Sequence, residues 1–214
     1  MKINNTVILC LVLLLLSVQS IAQKVRFAQQ EYGAGITVGY GKPNSFADNT
    51  IALGLQGSYQ YNLAWWFSLK GSLGYLYTLP SKRDMLNENG ETIGDVANTC
   101  NVLYLGVSPL LYGRFRKASV FVGATASIGQ AWLVTKFNTQ NPPENTVITK
   151  PTFGIWPQLG VSFKLKDSPK TSSNLEFVLT QIRFNNQDTF TLSNTAPVLE
   201  YRVFALQINY KYLF

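Results

Sequence analysis

The chain of 214 residues contains no histidine, and that absence removes a large share of protein chemistry. Histidine is the side chain best matched to proton transfer near neutral pH, and it is the commonest metal ligand. Without it, a serine nucleophile lacks its usual base. Cysteine is almost as scarce, with only Cys10 and Cys100. Charged residues make up 14% of the chain, and the net charge of +7 comes from scattered lysines and arginines rather than from a basic stripe. That dispersal argues against a nucleic-acid partner. After the first 22 residues no run of 18 apolar residues occurs, which excludes a membrane-spanning helix. Gly33-Ala34-Gly35 is not a phosphate-binding loop, because its glycines alternate on one strand face as clearance. No metal, cofactor or enzymatic activity is expected.

What is present begins at the N-terminus. Lys2 precedes an apolar core from Val7 to Leu16, and Ser20-Ile21-Ala22 places small residues where signal peptidase reads. Residues 1–22 are therefore expected to be a signal peptide, cleaved to leave Gln23 first, with residues 23–214 as one domain. Cys10 lies too deep in the apolar core to become a lipidated terminus. The mature chain then holds one thiol, Cys100, which is expected to be a small apolar residue near a strand end.

The chain is 13% aromatic, and its mature part alternates in polarity with period two. Eight segments carry the pattern: about 31–41, 50–61, 64–78, 99–113, 118–134, 151–165, 173–184 and 198–214. In the second, Ile51, Leu53, Leu55, Tyr59 and Tyr61 share one face and Ala52, Gly54, Gln56, Ser58 and Gln60 the other. In the sixth, Phe153, Ile155, Leu159, Val161, Phe163 and Leu165 oppose Gly154, Gln158, Gly160, Ser162 and Lys164. Pro109 interrupts the fourth segment, where it suggests a bulge.

The apolar face is too bulky to line a small barrel, whereas the small polar face suits a narrow lumen. Tyr32, Tyr40, Tyr59, Tyr61, Trp65, Tyr75, Tyr77, Tyr210 and Tyr212 gather toward segment ends, as interfacial girdles do. A soluble lipocalin-type barrel is the structural alternative. Connections alternate between short (62–63, 115–117, 166–172) and long (42–49, 79–98, 135–150, 185–197). These features predict an all-β fold, an eight-stranded antiparallel up-and-down transmembrane β-barrel with both termini periplasmic.

On the predicted inward face Lys70, Glu176 and Arg202 meet Gln56 and Gln158, with Lys164, Gln207 and Lys211 nearby. The expected role is a network of paired charges and amides filling the lumen; the other reading is a solute path. Trp65-Trp66 reads as a girdle residue plus lumen filler, and residues 81–95 as a solvated loop.

Phe204, Leu206, Ile208, Tyr210, Tyr212 and Phe214 resemble the C-terminal signal read by the barrel-assembly machinery. The stretches Val107-Ser-Pro-Leu-Leu-Tyr-Gly-Arg-Phe115 and Val120-Phe-Val-Gly-Ala124 resemble small outer-membrane barrels of the OmpA/OmpX and PorT-like type. The resemblance spans the mature chain. It implies an outer-membrane location, contact with outer-membrane lipid and lipopolysaccharide, and a structural or interaction role. PorT-like proteins are associated with type IX secretion and gliding in Bacteroidota, so envelope proteins are candidate partners. A narrow OmpW-like channel for small or hydrophobic solutes is the alternative. Enzymes on this architecture use a histidine, which this chain lacks. Because the pattern runs to Phe214, no peptidoglycan-binding domain is expected.

Overall fold

The computed structural model describes residues 30–42, 48–86, 89–139, 146–167, 172–186 and 199–213. The expected signal peptide and Phe214 lie outside the described residues. Nine strands form one antiparallel sheet: β1 (Gln30–Lys42), β2 (Thr50–Asn62), β3 (Phe67–Thr78), β4 (Ser81–Leu86), β5 (Thr92–Arg114), β6 (Ala118–Thr139), β7 (Thr146–Asp167), β8 (Ser172–Asn186) and β9 (Leu199–Leu213). The sheet closes through β1–β9 and β3–β5, so every stave of the barrel has two neighbours.

Nine strands make eight staves because β3 and β4 share one flank of β5. Residues Phe67 to Tyr77 pair with β5 from Leu111 up to Asn101, and Ser81 to Leu86 pair with its upper part, from Asn98 to Thr92. Pro80 separates them and has no N–H to donate. At the break, the Leu79 N–H still reaches the Ile51 carbonyl at 2.8 Å, and the Thr50 hydroxyl caps the Leu79 carbonyl at 3.0 Å. Beyond it the chain leaves β2 and continues on β5 alone.

The long strands correct the expected loops. Residues 81–86, 92–98, 135–139 and 146–150 are strand, so β5, β6 and β7 rise past the barrel with β4 as a raised sheet. Cys100 accordingly sits well inside β5 rather than at a strand end. Pro109 makes no bulge either. The register is the same on both sides of it, Val107↔Ala126 and Leu110↔Gly123, and only the β5–β6 pairing of 108 and 109 is missing. A hydrogen bond of 2.8 Å between Ser108 and Thr125 side chains spans the gap inside the lumen.

Through the lower two-thirds of the staves the alternation sends large apolar residues outward. Leu55 is 66% exposed and Ile128 63%, among many similar neighbours. Such a continuous apolar belt cannot face water and defines a lipid-facing surface. The inward residues are small, amide or charged.

Near the raised end this polarity inverts. On β8, Leu175, Phe177 and Leu179 face out below, whereas above them Gln181 and Arg183 face out and Ile182 and Phe184 face in. On β9, Arg202 faces out, with Tyr201 and Val203 in. The inversion marks the level where the exterior changes from hydrocarbon to water. Above it the barrel is built like a soluble one, apolar inside and polar outside.

Candidate functional site in the barrel lumen

The lumen has two storeys. The lower one, at the end where β1 begins and β9 finishes, is ionic. Glu176 on β8 is fully buried and holds two cations, one from across the barrel and one from the neighbouring strand. Lys70 Nζ on β3 lies 3.1 Å from its Oε1, and Lys211 Nζ on β9 lies 2.5 Å from its Oε2. Lys211 also reaches Glu31 Oε2 at 3.4 Å, and Arg114 Nη1 lies 3.9 Å from Glu31 Oε1. Two carboxylates thus link three cations into one cluster spanning β1, β3, β5, β8 and β9.

Neutral groups complete it. Lys211 donates to Gln60 Oε1 at 2.7 Å, and the Tyr112 hydroxyl donates to the same oxygen at 3.1 Å. Asn62 accepts from Arg114 at 2.7 Å and from Gln60 at 2.8 Å, and donates to Glu31 at 2.8 Å. Asn209 donates to Glu176 Oε1 at 3.0 Å, and Gln56 donates to Asn209 at 2.5 Å and to Gln207 at 3.2 Å. The Arg114 guanidinium lies 4.5 Å from the Tyr112 ring centre, adding a cation–π contact. A buried charge is tolerated only when paired and hydrogen-bonded, and this cluster meets both conditions.

The upper storey is apolar. Tyr104, Trp156, Phe184 and Tyr201 meet at centroid distances of 5.0–5.8 Å, mostly edge to face. Leu76, Cys100, Val102, Ile182, Val203 and the alanines 52, 131 and 205 fill the space around them. Glycines make room for the rings. A Cβ at Gly74 would collide with Tyr104, and, lower down beside Tyr112, one at Gly160 with Phe121. The Tyr104 hydroxyl joins the storeys, lying 3.4 Å from Gln56 Oε1.

Lys70, Glu176 and Gln56 are thus brought together in the lumen. Gln158 is buried in the lumen wall, but its Nε2 has no hydrogen-bond partner among the described residues, and it does not join the cluster. Arg202 is a correction: it faces out, paired in register with Lys42 and Arg183. It shares the parity of Phe204, and it lies at the level where a charge outside meets water rather than lipid. Trp66 is corrected too; it sits in the 63–66 turn, 47% exposed, against Phe67. Lys164 is half-buried at the rim. Sequence reasoning missed Glu31, Asn62, Arg114 and Tyr112. Strand parity alone puts Glu31 with Gly33, and Arg114 and Tyr112 with Gly106. Of the residues expected to signal assembly, Phe204, Leu206, Ile208, Tyr210 and Tyr212 lie on the outward parity of β9.

A closed antiparallel barrel with an apolar belt and a polar, packed lumen defines an integral membrane β-barrel. A family model described as outer membrane protein beta-barrel domain matches residues 8–212, and the chain belongs to that family. Family membership places the protein in the outer membrane. Among solved structures, Neisserial surface protein A is similar, with 13% identity over 87% of this chain and 98% of that one, at a TM-score of 0.50. Ail, the attachment invasion locus protein of Yersinia pestis, has 13% identity over 88% of this chain and 100% of its own, at 0.48. OprG from Pseudomonas aeruginosa has 12% identity over 86% and 96%, at 0.44. At these identities the likeness speaks to fold alone. No curated protein matches the chain.

Proposed function

We propose that the protein is a non-conducting outer-membrane barrel with a structural or interaction role, whose working surface is the raised β4–β7 sheet. The carrying observation is the two-storey lumen. A hydrated solute entering from the raised end meets Tyr201, fully buried, then Trp156 and Tyr104, before reaching any charged group. One entering from the other end meets an ionic cluster bound across five strands. Both storeys would have to open for a solute to pass, which weighs against the narrow-channel alternative.

The raised sheet supports the interaction reading. Strands of 22 or 23 residues, as β5, β6 and β7 are, reach well beyond a hydrocarbon band of about 25 Å. In this reading the short connections and both termini are periplasmic and the raised sheet faces outward. Partners would be outer-membrane lipid and lipopolysaccharide around the belt, the barrel-assembly machinery during insertion, and other envelope proteins. The PorT-like resemblance makes a secretion or gliding apparatus the first partner to test.

The experiment pairs current recording with capture. Purified protein in planar bilayers should show no discrete conductance, and cross-linking from the raised sheet in native membranes should recover a defined envelope protein. Reproducible single-channel steps from the wild-type protein would replace this reading with a channel.

A further inference from the structure

Charge is divided unevenly between the two ends of the barrel. Of the 11 acidic residues, Glu31 and Glu176 are buried in the lumen. The others, Asp167 excepted, lie by chain position in the upper parts of the strands or in the connections there. The lower end instead carries Arg116 and Lys117 between β5 and β6, and Lys164 and Lys166 at the foot of β7.

These cations are neighbours. The Phe115 N–H donates to the Ala118 carbonyl at 2.8 Å, so Arg116 and Lys117 alone form the tip of that turn. The Lys164 N–H donates to the Lys117 carbonyl at 3.0 Å, which ties the foot of β7 to the tip. On the other side of β5 the Tyr112 N–H donates to the Trp66 carbonyl at 2.8 Å, which brings the exposed Trp66 ring to the same rim. Lys164 is half-buried and already engaged. Arg116, Lys117 and Lys166 are exposed. Among the described residues the ion pairs at this end are those of Glu31 and Glu176 inside the lumen, and none involves these three.

The turn tip also lies past the belt. Phe115 is exposed on the parity of Leu111, and Arg116 and Lys117 follow it, beyond the cross-strand pair Arg114↔Ser119. Their charges therefore project into the water below the membrane. A concentration of one sign of charge attracts a partner of the other. The cations sit on a turn tip and a strand end, an open array that suits an extended lattice with carboxylates at intervals. The Trp66 ring beside them offers a flat face to the C–H bonds of a sugar. We propose that the lower rim, through Arg116, Lys117 and Lys166, docks on the carboxylate-bearing glycan–peptide mesh of the cell wall. The inference rests on the orientation proposed above, which turns this end toward the periplasm.

The test is co-sedimentation of the full mature barrel, held in nanodiscs of neutral lipid, with purified wall sacculi. Wild-type protein should pellet with them, and binding should weaken about tenfold as salt rises from about 0.05 M to about 0.5 M, because screening shortens the reach of each charge. Arg116→Gln/Lys117→Gln/Lys166→Gln should weaken it about tenfold at the lower salt. Lys42→Gln/Arg183→Gln/Arg202→Gln, which removes the same charge at the upper end, should not. Sacculi with amidated carboxylates should fail to pellet the wild type, a result that needs no variant. Heat-modifiable migration checks folding. Equal pelleting of wild type and lower-end variant, or undiminished binding to amidated sacculi, would overturn the proposal. Loss of binding when phosphatidylglycerol is added to the disc would assign the cations to lipid headgroups and overturn it too. So would stronger competition by poly-L-glutamate than by soluble wall fragments at equal carboxylate, which would name an acidic polypeptide. Orientation is read separately, by labelling Asn89→Cys on intact cells with an impermeant maleimide. Labelling only after permeabilisation would overturn the orientation and the wall as occupant, while sedimentation still judges the charge chemistry of the rim.

Discussion

Replacing Glu176 by glutamine is the sharpest probe of the lumen, because the change is nearly isosteric and removes one charge. The structure says which cation suffers. Lys211 keeps Glu31 at 3.4 Å and Gln60 at 2.7 Å, whereas among the described residues Lys70 has its ion pair with Glu176 alone. Lys70 is almost fully buried, so the variant leaves one uncompensated charge inside the barrel. Breaking a buried pair in this way costs about 3–5 kcal/mol. Glu31→Gln is the internal comparison. Its cations, Lys211 and Arg114, retain Glu176 and Asn62 respectively, so its cost should fall to about 1–3 kcal/mol. Adding Lys70→Met to Glu176→Gln removes the stranded charge and should recover part of the loss. Urea unfolding in detergent, followed by tryptophan fluorescence and confirmed by heat-modifiable migration, measures all four proteins. A cost below about 1 kcal/mol for Glu176→Gln, or a double variant no more stable than that single one, would refute the reasoning.

Three further outcomes are expected. Trp156→Ala should destabilise the barrel by about 3–5 kcal/mol, yet planar-bilayer recordings should stay silent because the ionic storey below still closes the lumen. Phe214→Asp should reduce outer-membrane insertion without blocking signal processing, as judged by fractionation and heat-modifiable migration. N-terminal sequencing of protein purified from membranes should begin at Gln23; an intact Met1 would refute cleavage.

The sequence made the staves legible because one physical rule governs most of their length: apolar to lipid, small or polar to the lumen. Lys70 and Glu176 could be placed inside by that rule, and the structure joins them at 3.1 Å. The same rule misplaced Arg202. That rule keeps a charge off the outside everywhere, but the outside changes solvent partway up β9. The weak alternation of the seventh segment has the same cause, since Ile182 and Phe184 turn inward where Gln181 and Arg183 turn outward. The aromatic storey was hidden for a related reason. Tyr104, Trp156 and Tyr201 fall on inward parity, and an apolar residue there contradicts the lipid rule unless the local exterior is water. Glu31 and Arg114 were legible by parity, but they lie at stave ends, where element boundaries are the least certain part of any sequence reading.

Cys100 gives the upper storey a built-in reporter. Its thiol has no exposed surface and sits among Leu76, Val102 and Tyr104, with the Thr78 hydroxyl donating to its backbone carbonyl at 2.9 Å. An alkylating reagent can reach it only when that packing comes apart. Its modification rate in intact membranes therefore measures how often the apolar storey breathes, through the population of the opened state. Cleavage as expected would leave it as the mature chain's only sulfhydryl, so the readout needs no engineering. A ligand that engages the raised sheet and tightens it would announce itself as slower alkylation at a position it never touches.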